Sequence, residues 1–507
     1  MKIAIIGSGV SGLCAGSYLQ MNGFSTEIYE QHSSTGGLCT SWKNDGFTFE
    51  SGFQWLLGSS PANPFYHLWA ELIDMDSIHF VQHEVRMALE TKIHRDNSGS
   101  NIFHLYTDLK RLENYLLDIS PEDQKPISQL ILTMRKIQAY EIPPAIKSNP
   151  DILPFYRKLK YVKYLPLLLF MNQIKKETNF TFAAKLKNPF LREAFELLFD
   201  GDEQPLMIIT VPLAFNDLKA TAYPVGGATK FVDKLKDRYL KLGGIIHLNS
   251  PVKSVTVKGN KATGLLLEDG RKIDSDITIS TADWHFTIFK ALGGRFVDRT
   301  IRELGDLKRL PLFYSIFMVS LGISKTFERV PHFYRFPMED DLISPDGTCY
   351  SRMESHIYNY DPTLAPSGKT VISVSFITHK ACYWIDLRKQ NREEYLRQKR
   401  EFASSIIKVL DRKLGGIIEN IEVTDIATPA TFHRYTRNRM GAAQGWMTGK
   451  DIMARTPITT KLPGLEQFYY SGHWSQPGGG LPVAVKSARD MVQVICKDLK
   501  RPFKAGS

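Results

Sequence analysis

The chain contains little cysteine. Five cysteines are spread widely through its 507 residues, at Cys14, Cys39, Cys349, Cys382 and Cys496. They form no CxxC pair or Cys/His cluster, and the histidines show no spacing typical of metal ligands. We therefore predict neither a disulfide framework nor a metal site, and we expect a reducing compartment.

Long hydrophobic runs are also missing. No stretch of 18 or more apolar residues occurs, so we predict no membrane-spanning helix. The first apolar stretch, residues 3–16, has the length of a signal-peptide core, but its regularly placed glycines argue against one. We expect the protein in the cytoplasm, or on the surface of a membrane that faces a reducing compartment.

Positive charge is in moderate excess. The 64 Lys and Arg against 53 Asp and Glu give a formal charge of +11, yet no Lys/Arg array interleaved with aromatic residues occurs. We therefore predict no nucleic-acid partner. Two interpretations of the charge remain, a solvated basic surface or attraction to anionic lipid. With 43% hydrophobic and 23% charged residues, the composition is that of a folded globular protein.

The first 30 residues carry a phosphate-binding pattern. An isoleucine-rich run at 2–6 is typical of a buried parallel strand, and the loop 7–12, GSGVSG, comes directly after it and opens a helix. In a dinucleotide-binding βαβ unit Gly7 makes the tight turn, Gly9 lets the backbone approach a pyrophosphate, and Gly12 lets the helix pack on the strand. Val10 and Ser11 complete the loop. Glu30, at the end of the second predicted strand, is placed to accept hydrogen bonds from a ribose hydroxyl.

The residues after Glu30 favour FAD over NAD. A second glycine pair, Gly36-Gly37, precedes Leu38 and offers another close backbone approach, as a longer dinucleotide requires. Two later segments agree. Residues 223–284 read as a turn, an amphipathic helix and several strands, and residues 468–499 read as a strand, a glycine-rich turn and a helix. We expect that last helix, beginning near Leu481, to direct its N-terminus at a flavin ring.

These segments together resemble the flavoprotein superfamily of phytoene desaturases, carotenoid isomerases and retinol saturases. The resemblance rests on five stretches: PVGG with LGGIIHLNSPVKSV and STAD (224–283), DPTLAPSGKT (361–370), TPATFHRYTRNRMGAAQG (428–445), GHWSQPGGGLP (472–482) and GFTFESGFQWLLG (46–58). Amine oxidases commonly carry Arg after the glycine pair, where this chain has Leu38-Cys39. The chain therefore looks closer to the isomerase and saturase branch.

The resemblance implies an α/β fold with an amine-oxidase-like architecture. A discontinuous Rossmann-type FAD-binding domain would comprise residues 1–75, 216–285 and 425–507. An inserted α+β substrate-binding domain would comprise residues 76–215 and 286–424, with strands at 313–323 and 369–378. FAD is the implied cofactor. Its implied contacts are Gly7, Gly9, Val10, Ser11, Gly12, Glu30, Gly36, Gly37, Leu38, Val252, Gly472, Gly479, Gly480, Leu481 and Pro482.

A basic and apolar segment lies at 151–176, which we expect to be helical. Within it, residues 157–176 hold six Lys or Arg and no acidic residue around LPLLLFM. Two interpretations remain open. The segment lies in a membrane interface with its basic side chains at the headgroups, or it is a core-facing helix interrupted by Pro166.

The sequence names no catalytic residue firmly. His473, Trp474, Gln54 and Trp55 are weak candidates, because they adjoin the predicted flavin contacts, and packing is the alternative role of both tryptophans. No GxSxG or comparable nucleophile motif is present.

The expected function is that of an FAD-dependent oxidoreductase. By resemblance it acts on carbon–carbon bonds of a hydrophobic polyene or isoprenoid lipid, by hydride exchange with flavin N5. Desaturation, isomerisation and saturation remain undistinguished, and the electron donor or acceptor is unassigned. The alternatives are a flavin amine oxidase and a non-catalytic lipid-binding protein that holds FAD.

Overall fold

The computed structural model describes residues 1–95, 100–140, 164–199, 201–447 and 460–506. Its strands, in chain order, are β1 (Lys2–Ile6), β2 (Ser25–Tyr29), β3 (Ser41–Asn44), β4 (Phe47–Glu50), β5 (Leu56–Leu57), β6 (Phe80–Val81), β7 (Val85–Glu90), β8 (Ile102–Tyr106), β9 (Thr221–Pro224), β10 (Ile245–His247), β11 (Val252–Lys258), β12 (Lys261–Leu267), β13 (Lys272–Asp274), β14 (Ile277–Ser280), β15 (Ser315–Ile323), β16 (Phe333–Ile343), β17 (Cys349–Ile357), β18 (Thr370–Thr378), β19 (Ile421–Ala427) and β20 (Phe468–Tyr470). Its α-helices are α1 (Val10–Met21), α2 (Phe65–Ala70), α3 (Leu109–Ile119), α4 (Gln124–Ala139), α5 (Leu165–Ile174), α6 (Asn179–Ala183), α7 (Pro189–Glu196), α8 (Met207–Asp217), α9 (Gly227–Lys241), α10 (Arg299–Gly305), α11 (Ala381–Gln390), α12 (Arg392–Leu414), α13 (Pro429–Thr436) and α14 (Gly480–Asp498).

The first sheet is parallel and has five strands in the order β10-β2-β1-β14-β20. The isoleucines of β1 are buried because both faces of the sheet are covered. Helices α1, α9 and α14 pack on one face around Ile5 and Ile28. The antiparallel strands β11 and β12 pack on the other face around Ile6 and Leu265. The predicted βαβ unit at the N-terminus is confirmed, as are the strands expected within residues 244–280.

The second sheet has seven strands in the order β19-β15-β18-β17-β16-β7-β8. It is antiparallel except between β16 and β7. The strands predicted at 313–323 and 369–378 are confirmed as β15 and β18. One face packs on α11 and α12 through Phe317, Trp384 and Ile406. The α/β fold class is therefore confirmed.

The two sheets draw on different parts of the chain. Strands of the parallel sheet come from residues 2–29, 245–280 and 468–470, whereas those of the seven-stranded sheet come from residues 85–106 and 315–427. A separate helical core around Leu112, Met134 and Phe195 lies beside β8. This distribution is consistent with the two predicted domains, whose boundaries stay a prediction.

The basic and apolar segment is described only in part, because residues 151–163 lie outside the described residues. Helix α5 is present, and Pro166 lies in its first turn, where proline is tolerated, rather than interrupting it. Leu165 and Leu169 are 50% and 61% exposed. Among the helices described, none combines the length and the apolarity that a membrane crossing needs.

Candidate functional site

A cavity of about 850 Å³ is lined by residues of both sheets. On the parallel sheet it lies at the carboxyl ends of β1 and β2, the edge at which α/β folds bind ligands. Most residues expected to contact FAD line it, namely Gly7, Gly9, Val10, Ser11, Glu30, Gly36, Gly37, Leu38, Val252, Gly479, Gly480, Leu481 and Pro482. Gly12 and Gly472 are buried and do not line the cavity.

The first glycine loop is shaped by close backbone packing. Gly7 adopts a φ of +93°, and a Cβ built on Gly12 would lie 2.0 Å from the carbonyl oxygen of Gly7. By contrast, a Cβ on Gly9 would meet nothing closer than the Gly36 carbonyl oxygen at 3.8 Å. The Gly36 amide donates a hydrogen bond to the carbonyl of Ser8 at 3.0 Å. The two glycine motifs thus form one surface that is bare of side chains at Gly9.

The Glu30 carboxylate is held in place at the end of β2. Its Oε2 accepts hydrogen bonds from the amide and the hydroxyl of Ser8, each at 2.8 Å, and its Oε1 accepts one from the His32 amide at 2.9 Å. Each carboxylate oxygen accepts two hydrogen bonds, so Oε1 keeps acceptor capacity. A fixed carboxylate on the cavity wall is suited to hold a ribose hydroxyl.

The C-terminal glycine turn brings a second helix to the cavity. Helix α14 begins at Gly480, one residue before the predicted start, and Gly479 precedes it with a φ of +49°. Because α1 begins at Val10 on the same cavity, two helix N-termini with their free amides lie along its wall. Such amides and their partial positive charge stabilise phosphate groups and reduced flavin.

His473 supplies a buried polar atom without a partner. Its Nε2 has no hydrogen-bond partner among the described residues, and burial lowers the pKa of the imidazole to about 4. The side chain lines the cavity beside Gly479 and is neutral at pH 7. A bare glycine surface, a fixed carboxylate, two helix N-termini and an unsatisfied imidazole together fit FAD.

Trp474 takes the packing role that was its alternative. It is 1% exposed, does not line the cavity, and packs edge-on against Trp446 with ring centroids 5.2 Å apart. Gln54 and Trp55 do line the cavity. Trp55 carries the Arg86 guanidinium 4.0 Å above its ring, and the Gln54 amide nitrogen lies 3.0 Å from Nε2 of His356.

Sequence reasoning missed a stripe of polar side chains on the second sheet. Tyr350, Arg352, Glu354 and His356 alternate along β17 and all line the cavity, since successive strand residues face opposite sides. The alternating pattern in CYSRMESHI was the available signal. The charge state of Glu354 depends on Arg335 of the neighbouring strand β16. The sequence does not show that Arg335 lies beside Glu354.

Arg335 and Glu354 form an ion pair at the cavity wall. The Arg335 guanidinium donates to Oε2 of Glu354 and to the carbonyls of Leu197 and Leu198, at 3.2 and 3.0 Å. Burial alone raises the pKa of Glu354, but the charge of Arg335 and the hydrogen bond from His356 outweigh it and lower that pKa to about 2. The carboxylate is therefore ionised and neutralised by its own partner.

Comparisons with known proteins agree with this geometry. The family described as flavin containing amine oxidoreductase matches residues 10–496. The chain is 24% identical to a 4,4'-diapophytoene desaturase (4,4'-diapolycopene-forming) of Methylomonas sp, covering 99% of this chain and 96% of that protein. It is 25% identical to a chloroplastic prolycopene isomerase of Daucus carota, covering 94% and 77%. A triple mutant of putrescine oxidase shares the fold, with a TM-score of 0.60 at 15% identity, covering 98% and 99%. The resemblance to this flavoprotein superfamily and the FAD cofactor are confirmed.

Proposed function

Because the chain belongs to the family of flavin-containing amine oxidoreductases, we propose that it acts on carbon–carbon bonds of a hydrophobic polyene or isoprenoid lipid. The protein is an FAD-dependent oxidoreductase. Bound FAD would supply a carrier that takes up or delivers a hydride, which is a proton together with two electrons. The observation that carries the proposal is the match along nearly the whole chain to relatives named as a desaturase and an isomerase of polyenes.

The residues on the cavity wall divide into two groups under this proposal. Residues of the parallel sheet and its loops bind the dinucleotide, through Gly9, Glu30, the Gly36-Gly37 pair and the α14 N-terminus. Residues of the seven-stranded sheet and its neighbours hold the substrate. Apolar side chains there exclude water and bury the lipid chain, at about 25 cal/mol per Å² removed from water; they are Leu57, Phe199, Phe313, Ile316, Met318 and Phe376.

Oxidation of an amine is the second candidate, because putrescine oxidase shares the fold. A protonated amine in a buried cavity needs a carboxylate free to compensate its charge. Glu354, on the second sheet, is already paired with Arg335. Glu354 is therefore not available as the counter-charge of a protonated amine.

The proposal predicts which compounds change the flavin spectrum. In anaerobic stopped flow, we expect polyenes to bleach the oxidised flavin or to reoxidise the photoreduced flavin, or to be isomerised without net change of the flavin. Product mass identifies the reaction, because desaturation removes two daltons, saturation adds two, and isomerisation changes none. Rapid bleaching by a primary amine, with polyenes inert in both redox states, would contradict the assignment.

A second prediction concerns the ribose contact. Replacing Glu30 with Gln removes the charge from the hydrogen bond to the ribose and weakens FAD binding by about 1.5–3 kcal/mol. Titration of apoprotein with FAD, followed by flavin fluorescence, measures the change. Glu27→Gln is the matched control, since Glu27 lies on β2 three residues before Glu30, is bound to Lys2 and His247, and does not line the cavity. Equal FAD affinities of the two variants would show that Glu30 is misassigned.

Membrane contact and the electron partner remain proposals. The exposed leucines of α5 and the neighbouring Lys175 and Lys176 suit a peripheral contact with anionic lipid. The lysines at 158, 160 and 163, on which the interface interpretation also rests, lie outside the described residues.

A further inference from the structure

Residues 435–437, which we name the strap, form part of the outer wall of the cavity. They end helix α13, and all three line the cavity together with Glu30 and Val252. Tyr435 is also 39% exposed, so the strap lies between the cavity and the solvent. A ribose held by Glu30 would place the adenosine half of FAD next to the strap.

The first end of the strap is bound to the residues that follow β2. The side-chain amide of Gln31 donates a hydrogen bond to the Tyr435 carbonyl at 2.8 Å. The ring of Tyr435 packs edge-on against the ring of His32, with centroids 4.6 Å apart. His32 does not line the cavity. It therefore holds the strap from outside the space that the cofactor would occupy.

The other end of the strap is bound to β11 and to the turn after β12. The Arg437 guanidinium donates to the Val252 carbonyl at 3.2 Å and to Oε1 of Glu268 at 2.5 Å. Glu268, like His32, does not line the cavity. Arg437 has a φ of +56°, in the left-handed region that is uncommon for a residue with a Cβ. Such a conformation persists where the surrounding contacts impose it.

We propose that the strap has to open for FAD to enter or leave, and that His32 and Glu268 are positioning residues that keep it closed. Helix ends fray, so the last turn of α13 can unwind while both sheets stay in place. Opening breaks the contacts at both ends of the strap. The inference concerns the exchange of the cofactor and not the substrate, so it can fail while the proposed function stands.

The rates of FAD binding and release test the inference without turnover. Stopped-flow flavin fluorescence measures FAD uptake by the apoprotein, and dilution of the FAD-loaded protein measures release. In Glu268→Ala we expect both rates to rise about two- to fivefold, as loss of a half-exposed ion pair provides. The dissociation constant should stay within twofold, because the lost contact holds the strap equally in the free and the FAD-bound protein.

His32→Ala tests the other end of the strap. Loss of the ring contact with Tyr435 should raise both rates by a similar factor. Since opening breaks both anchors, the double variant is expected to show about the product of the two single gains. Asp269→Ala is the matched control, because Asp269 is the neighbour of Glu268 on the same turn but binds Arg271 of that turn instead of the strap. It should leave both rates unchanged.

Three outcomes would overturn the inference. If only the release rate rises in Glu268→Ala and His32→Ala, the strap merely contacts FAD and does not control its passage. If neither rate changes, FAD passes by another opening of the cavity. If Asp269→Ala raises the rates as much as Glu268→Ala, the effect comes from the surface charge and not from the strap.

Discussion

The Gly9→Ala variant is expected to fold like the wild type but to bind FAD about 10–100-fold more weakly. Its new Cβ would meet no atom of the protein closer than 3.8 Å, so nothing in the fold opposes it. The methyl group would project from the surface on which the pyrophosphate approaches the backbone. It would therefore separate the phosphate from the amides at the start of α1, and charge-assisted hydrogen bonds contribute about 1.5–3 kcal/mol each.

Gly12→Ala is the matched comparison, three residues along the same loop. Its Cβ would lie 2.0 Å from the Gly7 carbonyl oxygen and 3.0 Å from the Thr281 hydroxyl oxygen. A backbone carbonyl cannot rotate away as a flexible side chain can, so we expect a loss of about 3 kcal/mol in the free energy of unfolding. Urea unfolding of both apoproteins and FAD titration measure the two effects. If Gly9→Ala destabilised the apoprotein as much as Gly12→Ala, the assignment of Gly9 to the cofactor surface would fail.

The contrast between these glycines shows what local sequence predicts well. The strand, the glycine loop, the helix and Glu30 lie within 30 consecutive residues, and their spacing alone implies the geometry that the structure has. The predicted start of α14 agrees with the structure to within one residue for the same reason. Such a signal lies in the order and spacing of consecutive residues, so it can be recognised without knowing that β1 pairs with β14 or that α1 packs on α14.

The substrate side of the cavity is harder to predict. Gln54 meets His356, and Arg335 meets Glu354, only because β16 and β17 pair and face the residues after β4. The sequence of β16 or of β17 alone does not show which side chain of the other strand each residue will contact. The choice between the two roles of Trp474 is open in the sequence for a similar reason, since its side chain packs against Trp446, 28 residues earlier in the chain. Side-chain contacts between segments that are distant in the chain are therefore the ones that local sequence does not predict.

Replacing Glu71 with Gln is expected to cost about 3–5 kcal/mol of stability. Glu71 comes directly after α2, and both of its oxygens bind Arg489 of α14, at 2.7 and 2.9 Å. Oε2 also accepts the Tyr18 hydroxyl of α1 at 2.8 Å. Burial lowers the pKa of Arg489, but the carboxylate outweighs that effect and raises it. The variant keeps the shape of the side chain but removes the charge of Glu71 from a guanidinium whose side chain is 7% exposed.

The charge, rather than the lost hydrogen bonds, should account for most of this loss. A Glu71→Met, Arg489→Met double variant removes both charges and is expected to be more stable than Glu71→Gln alone, because the buried guanidinium is removed together with the carboxylate that it binds. Glu84→Gln is the surface control. Its partner Arg111 is 51% exposed and Glu84 itself 80%, so water replaces the pair and urea unfolding should change little. A double variant that is less stable than Glu71→Gln would mean that the directional hydrogen bonds joining α1, α2 and α14 dominate instead.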